Sequence, residues 1–295
     1  MPVLSEPAAV SVEKILIATD FSASSERALA YAKALALRFG SVLAIAHIFD
    51  PAVVSSWEAA ELEISPEEKQ RMSEQRLGDL ERNMAGAGIV TRTMSRGGNR
   101  PAVTLLEIAR SEKVDLIVAG TSSKTGLERV ILGSTAEQLI RSASVPVLTV
   151  GPQARVPGPG PLTFRTIVFA NDFSAEATKA AVYALSFAAD SGAKLYSCFA
   201  IKDQSQYNSS YKELDEAFRK ALRERIPQSS YDWCDPECVV EHGAAPKAIL
   251  ELAKRVDADL IVLGARKSTF WLTRVERGLT PALLAEATCP VMTIS

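Results

Sequence analysis

Residues Gly120–Glu137 read GTSSKTGLERVILGSTAE and follow the apolar run Val114–Ala119, VDLIVA. A short run rich in Ile and Val and closed by Gly predicts a buried parallel strand, and the residues from Ser134 onward predict a helix start. Gly120 and Gly133 lack a Cβ, so the backbone there can approach a ligand closely and can take positive φ. Ser134 and Thr135 set hydroxyls beside the unpaired N–H groups of a helix N-terminus. Together these features predict an anion site, with Lys124 and Arg129 as additional positive charge. A helix dipole contributes only about 0.3–1 kcal/mol toward a nearby negative charge, so affinity has to come from several N–H contacts and from burial of a base. No Gly-Lys-Ser or Gly-Lys-Thr occurs, so the stretch is not a P-loop. Taken alone, it is equally readable as a generic strand-to-helix turn.

Repetition organises the rest of the chain. Ile15–Ser22, ILIATDFS, recurs as Ile167–Ser174, IVFANDFS; Asp115–Gly120, DLIVAG, recurs as Asp259–Gly264, DLIVLG; Val145–Val150, VPVLTV, recurs as Cys289–Ile294, CPVMTI. Three matches in the same order mean two copies of one domain, as 295 residues allow. The stretch Gly151–Pro161, GPQARVPGPGP, blocks helix and ladder formation and reads as a semi-rigid connector. The expected division is 1–151, a linker over 152–161, and 162–295.

Within each copy strands alternate with helices, which predicts an α/β fold with a parallel sheet covered on both faces. The strand expected after the second helix runs from Ile89 to Ser95. In such a sheet ligands bind beyond the carboxyl ends of the strands, where Asp20 and Gly120 can converge. Asp20, in TDFS, has two readings: capping the helix that starts near Ser24, or hydrogen bonding an adenine amino group or a ribose hydroxyl. Asp172 repeats it and fits either. His47 ends an apolar strand with no nucleophile beside it, which favours a packed structural histidine over an acid–base role. Trp57, in the loop after Asp50, is a candidate lid residue, with ordinary packing as the alternative.

A net charge of −2 gives no electrostatic case for nucleic acid or anionic membrane. No apolar run reaches the roughly 18 residues of a spanning helix, and the first residues lack a basic and an apolar leader region, so a soluble cytoplasmic protein is expected. Four cysteines make no disulfide framework in a chain of this length. Cys198 and Cys289 are expected as buried thiols. Cys234, Cys238 and His242 are evenly spaced, but a zinc site needs a fourth ligand and a compact turn, whereas Cys238–His242 alternates like a strand.

The spacing of Gly120, Ser123, Gly133 and Ser134 resembles the G-x-x-G-x9-G-[ST] loop of the universal stress protein family, with Ser123 where the family's ATP binders have Gly. The TDFS turn, the G-x-x-P turns at Gly98–Pro101 and Gly243–Pro246, the DLIVAG strand and the VPVLTV strand complete the resemblance in order, across both halves. It implies two tandem open five-stranded parallel sheets of strand order 3-2-1-4-5 flanked by helices, of the adenine-nucleotide α-hydrolase-like kind. It also implies pairing of the two halves through their last strands as an intramolecular pseudo-dimer, with further homo-oligomer formation left open. By the same resemblance Ala18, Thr19 and Asp20 surround base and ribose, Ala46 or His47 packs on the base, and Gly120, Ser123, Gly133, Ser134 and Thr135 hold ribose and phosphates. Mg or Mn would accompany the phosphates. In the second copy Lys267, Gly278-Leu279, Phe270 and Trp271 depart from the loop and imply a degenerate site. The implied function is an ATP-binding stress-response regulator with at most slow hydrolysis and a protein partner still to be named. The alternative is a protein-interaction or chaperone-like module without nucleotide, and a third reading, an ATP-dependent ligase, lacks a visible substrate domain.

Overall fold

The computed structural model describes residues 11–50, 65–121, 133–202, 210–265 and 279–295. Trp57, Ser123, Lys124, Arg129, Lys267, Phe270, Trp271 and Gly278 lie outside them. The first half runs β1 (Lys14–Ala18), α1 (Ala23–Phe39), β2 (Val42–Phe49), α2 (Pro66–Ala85), β3 (Thr91–Gly97), α3 (Pro101–Ser111), β4 (Leu116–Gly120), α4 (Ser134–Ser142) and β5 (Val147–Val150). The second runs β6 (Thr166–Ala170), α5 (Ala175–Ser191), β7 (Lys194–Ile201), α6 (Tyr211–Arg223), a 3-10 turn at Gln228–Asp232, β8 (Asp235–His242), α7 (Ala245–Arg255), β9 (Leu260–Gly264), α8 (Leu279–Glu286) and β10 (Val291–Ile294).

Local chemistry sets the element ends. Ser22 caps α1 by accepting from the Ser25 N–H, and Gly40 ends it at φ 67°; Ser174 and Gly192, at φ 60°, do the same for α5. The third strand begins two residues later than expected, because the Ile89 N–H is taken by Met84 O at the end of α2. The repeated aspartate of DLIV is structural: Asp115 Oδ2 accepts from the N–H groups of Glu13 and Lys14, and Asp259 Oδ2 from those of Arg165 and Thr166. Each carboxylate thus ties the start of one strand to its neighbour.

The strand order is β3-β2-β1-β4-β5-β10-β9-β6-β7-β8. Each half keeps the expected 3-2-1-4-5 order, but the two expected sheets are one ten-stranded sheet. The reason is the antiparallel pairing of β5 with β10, which sets Leu148 opposite Met292. Both side chains are fully buried. One apolar layer, under α1, α2 and α5, and another, under α3, α4, α7 and α8, each run unbroken across both halves. The connector is fastened rather than merely spanning. Its Arg155 N–H donates to Thr288 O, its carbonyl accepts from the Tyr31 hydroxyl, and its guanidinium holds Asp257 and Ala258 O.

The seam carries one polar cost. Thr149 is fully buried opposite Val291, and its hydroxyl has no hydrogen-bond partner among the described residues. Thr149→Val keeps the shape and removes the unsatisfied group, so it is expected to raise unfolding free energy by about 1 kcal/mol in urea denaturation. A lower denaturation midpoint would contradict that assignment.

Candidate functional site

The register puts Ala18 beside Ala46, and β4 flanks β1 on its other side. The carboxyl ends of these three strands and the starts of α1, α3 and α4 enclose a cleft of about 630 Å³. Ala18, Thr19, Asp20, Ala46, Gly120, Gly133, Ser134 and Thr135 all line it. Of the sequence-predicted site residues that lie within the described residues, only His47, offered as the alternative to Ala46, is missing from the lining; Ser123 lies outside the described residues. Ser24, Ser25, Ile48, Pro101, Leu105, Ala119, Ala136 and Glu137 also line the cleft and were not anticipated. Two signals could have found some of them: period-2 alternation from Ala46 to Ile48, and the G-x-x-P turn that delivers Pro101.

The cleft has an apolar and a polar end. Ala18, Ala46, Ala119, Ile48 and Leu105 form the apolar part. At the polar end Gly133 is the N-cap of α4 with φ −61° and ψ 140°, and no side chain caps that helix. The amides of its first turn and the hydroxyls of Ser134 and Thr135 are donors suited to an anion. Neither site glycine uses the expected positive φ. At Gly120 the absent Cβ serves packing instead, since a Cβ there would lie 2.4 Å from Ser24 O and 2.7 Å from its carbonyl carbon. Gly264 has the same role against Glu176 and Ala177 of α5.

Asp20 takes the capping role through an intermediary, and it also lines the cleft. Its Oδ1 accepts from the Ser22 N–H at 3.0 Å and from the Ser22 hydroxyl, and Ser22 in turn caps α1. Asp172 holds Ser174 in the same way. Partial burial pushes the Asp20 carboxyl up, but the Ser22 hydroxyl and N–H outweigh it and hold it below the usual carboxylate range. A depressed folded value means that the carboxylate's stabilisation is present above the ordinary pKa of about 3.9 and is lost as pH falls through the folded value. Denaturation midpoints of wild type are therefore expected to fall more between pH 6 and pH 3 than those of Asp20→Asn; equal falls would refute the link.

Thr19 is fixed from several sides. Its N–H donates to Ala46 O, its hydroxyl accepts from the Phe21 N–H and shares a hydrogen bond with Ser25, and its carbonyl lies 2.8 Å from His47 Nδ1. Ala46 faces the cleft, so His47, the next residue of the strand, points to the opposite face. There its ring lies 4.6 Å from that of Phe21. Of the two residues offered for the base contact, Ala46 lines the cleft and His47 does not. Phe21 holds φ 61°, an unusual value for a residue with a Cβ, and the Arg76 guanidinium lies over its ring at 5.1 Å from the centroid.

The cysteines and His242 do not gather. Burial pushes the thiols of Cys198 and Cys289 up to about 12, and those of Cys234 and Cys238 up to about 11. His242 Nε2 pairs with Asp215 Oδ1 at 2.9 Å. Among the described residues no cluster of His, Cys, Asp and Glu has the arrangement of a metal site.

A family model described as "Universal stress protein family" matches residues 11–151 and again 163–295. Among curated relatives, a universal stress protein of Methanocaldococcus jannaschii is 35% identical over 144 residues, 47% of this chain and 81% of that protein. One from Staphylococcus epidermidis is 32% identical over 142 residues, 48% of this chain and 85% of its own. Among solved structures, a universal stress protein from Archaeoglobus fulgidus superposes with a TM-score of 0.70 at 18% identity, over 97% of this chain and 99% of that one. That likeness concerns the fold.

Proposed function

The chain belongs to the universal stress protein family in both halves, and from that premise we propose that the first half binds an adenine nucleotide, ATP in the first instance, and signals its occupancy to a protein partner in a stress response. The observation that carries this reading is the convergence of residues distant in sequence, from Ala18 to Thr135, on one cleft with an apolar floor and an uncapped helix N-terminus. A flat base suits the alanine floor, and phosphates suit the first-turn amides of α4. Asp20 and Glu137 add two carboxylates, and no Lys or Arg stands among the described lining residues. A polyphosphate is therefore expected to enter with Mg²⁺ or Mn²⁺, for which carboxylate, hydroxyl and phosphate oxygens are a fitting donor set.

We place the division of the chain at 1–151, 152–161 and 162–295, with the second half as the degenerate partner. Leu279 stands where Ser134 offers a hydroxyl, and Pro281, in the first turn of α8, has no N–H to donate. Cys198 and Leu263 flank Ala170 in the register, whereas in the first half Ala46 pairs with Ala18 and Ala119 holds the place of Leu263 in the repeated DLIV strand. The test is to denature freshly purified protein and identify released nucleotide by mass spectrometry and ultraviolet absorbance, with calorimetry against ATP and Mg²⁺. One adenine nucleotide per chain supports the reading. Two overturn the degenerate second half. None released, with no heat on adding ATP, transfers the assignment to a protein-interaction module.

A further inference from the structure

We propose that His47 is a positioning residue of the cleft, fixing the Thr19 carbonyl from behind so that the Ala18–Asp20 segment presents one rigid edge to the ligand. This inference rests on the nucleotide reading above. In the β1–β2 register Ala18 lies opposite Ala46, so Thr19, one residue past the end of β1, lies beside His47. The chain then turns sharply through Phe21, whose positive φ takes it out of the sheet. His47 Nδ1 lies 2.8 Å from the Thr19 carbonyl oxygen. A carbonyl can only accept, so Nδ1 carries the proton and donates it. The ring thus extends the ladder by one rung where no strand remains to do so.

The second half shows what the ring position requires when packing alone is at stake. There Phe199 stands in the place of His47, one residue after the Ala170–Cys198 pair. It packs on Phe173 at 5.0 Å and 50°, close to the 4.6 Å and 43° between His47 and Phe21. Phe173 holds φ 62°, against 61° for Phe21. The Asn171 N–H donates to Cys198 O at 2.8 Å, as the Thr19 N–H donates to Ala46 O at 2.9 Å. The two turns share the same scaffold. What His47 adds to it is a donor, and the donor reaches a residue that lines the cleft.

Asn places its amide nitrogen at the position of Nδ1, Gln places its own near Nε2, and Phe keeps the ring without a donor. ATP–Mg²⁺ affinity by calorimetry is expected to fall roughly tenfold in His47→Phe and His47→Gln, and to return to within about threefold of wild type in His47→Asn, the scale of one buried hydrogen bond. Circular dichroism melting of each variant separates loss of fold from loss of binding. Wild type that binds while His47→Phe binds equally well overturns the positioning role alone, as does an Asn variant no better than Phe. Wild type that binds no nucleotide overturns the functional reading itself. A third readout needs neither variants of His47 nor ligand. The chain has two histidines, so His242→Asn leaves one imidazole in a ¹⁵N spectrum. That spectrum is expected to show the neutral imidazole as the Nδ1-protonated tautomer, and a bare Nδ1 would overturn the inference.

Discussion

Replacing Gly120 by alanine is expected to lower the unfolding free energy by about 3 kcal/mol, the upper range for overpacking a rigid site. The added methyl would sit 2.4 Å from Ser24 O, 2.7 Å from the Ser24 carbonyl carbon and 3.1 Å from the Ser25 nitrogen. These are backbone atoms at the start of α1, so no side-chain rotation relieves the contact. The helix has to move away from β4, although it buries Ala28, Leu29, Ala32 and Leu35 against the sheet. Gly264→Ala should behave alike, because its Cβ would lie 2.5 Å from both Ala177 N and the Glu176 carbonyl carbon. Urea denaturation of both variants checks this. A change below about 0.5 kcal/mol in either would mean that the helix yields freely and that the close approach is not a constraint.

Gly133→Val is expected to weaken ATP binding by about 100-fold, or about 2.7 kcal/mol, while the fold persists. At φ −61° and ψ 140° the backbone suits any L-residue, so the substitution strains nothing at that bond. Its cost to stability is that of a poor N-cap residue, about 1 kcal/mol. The branched side chain would stand at the mouth of α4, over the amides assigned to phosphate. Calorimetry with ATP–Mg²⁺ and a urea melt on the same preparation provide the test. Unchanged affinity would remove the α4 N-terminus from the site, whereas a large loss of stability would show a structural role like that of Gly120.

The two glycines belong to one sequence motif, yet the structure gives them different roles, and comparison of the two halves separates them. The second half keeps Gly264, the counterpart of Gly120, because α5 needs the same close approach. It has Leu279 and Pro281 where α4 offers Ser134 and Ala136. Features present in both halves, such as Asp20 with Asp172, Phe21 with Phe173 and Asp115 with Asp259, maintain turns and strand starts. The repeat therefore marks the scaffold, and departures from it mark the candidate chemistry.

The sequence by itself determined the two repeats, the α/β alternation, and eight of the residues that line the cleft, among them Ala18, Asp20 and Thr135. These follow from local patterns: apolar runs, caps, glycine stops and the order of motifs. The family resemblance implied pairing through the last strands, but only the tertiary structure decided its antiparallel register, with Leu148 opposite Met292, and the single ten-stranded sheet that results, because strand register is a contact between distant segments that leaves no periodic trace. It also decided that Asp20 acts through Ser22, that the missing Cβ of Gly120 makes room for the Ser24 backbone, and that Ala46 faces the cleft while His47 turns behind it. Each of these depends on which backbone atom lies within about 3 Å of which side chain, a distance that sequence spacing does not encode.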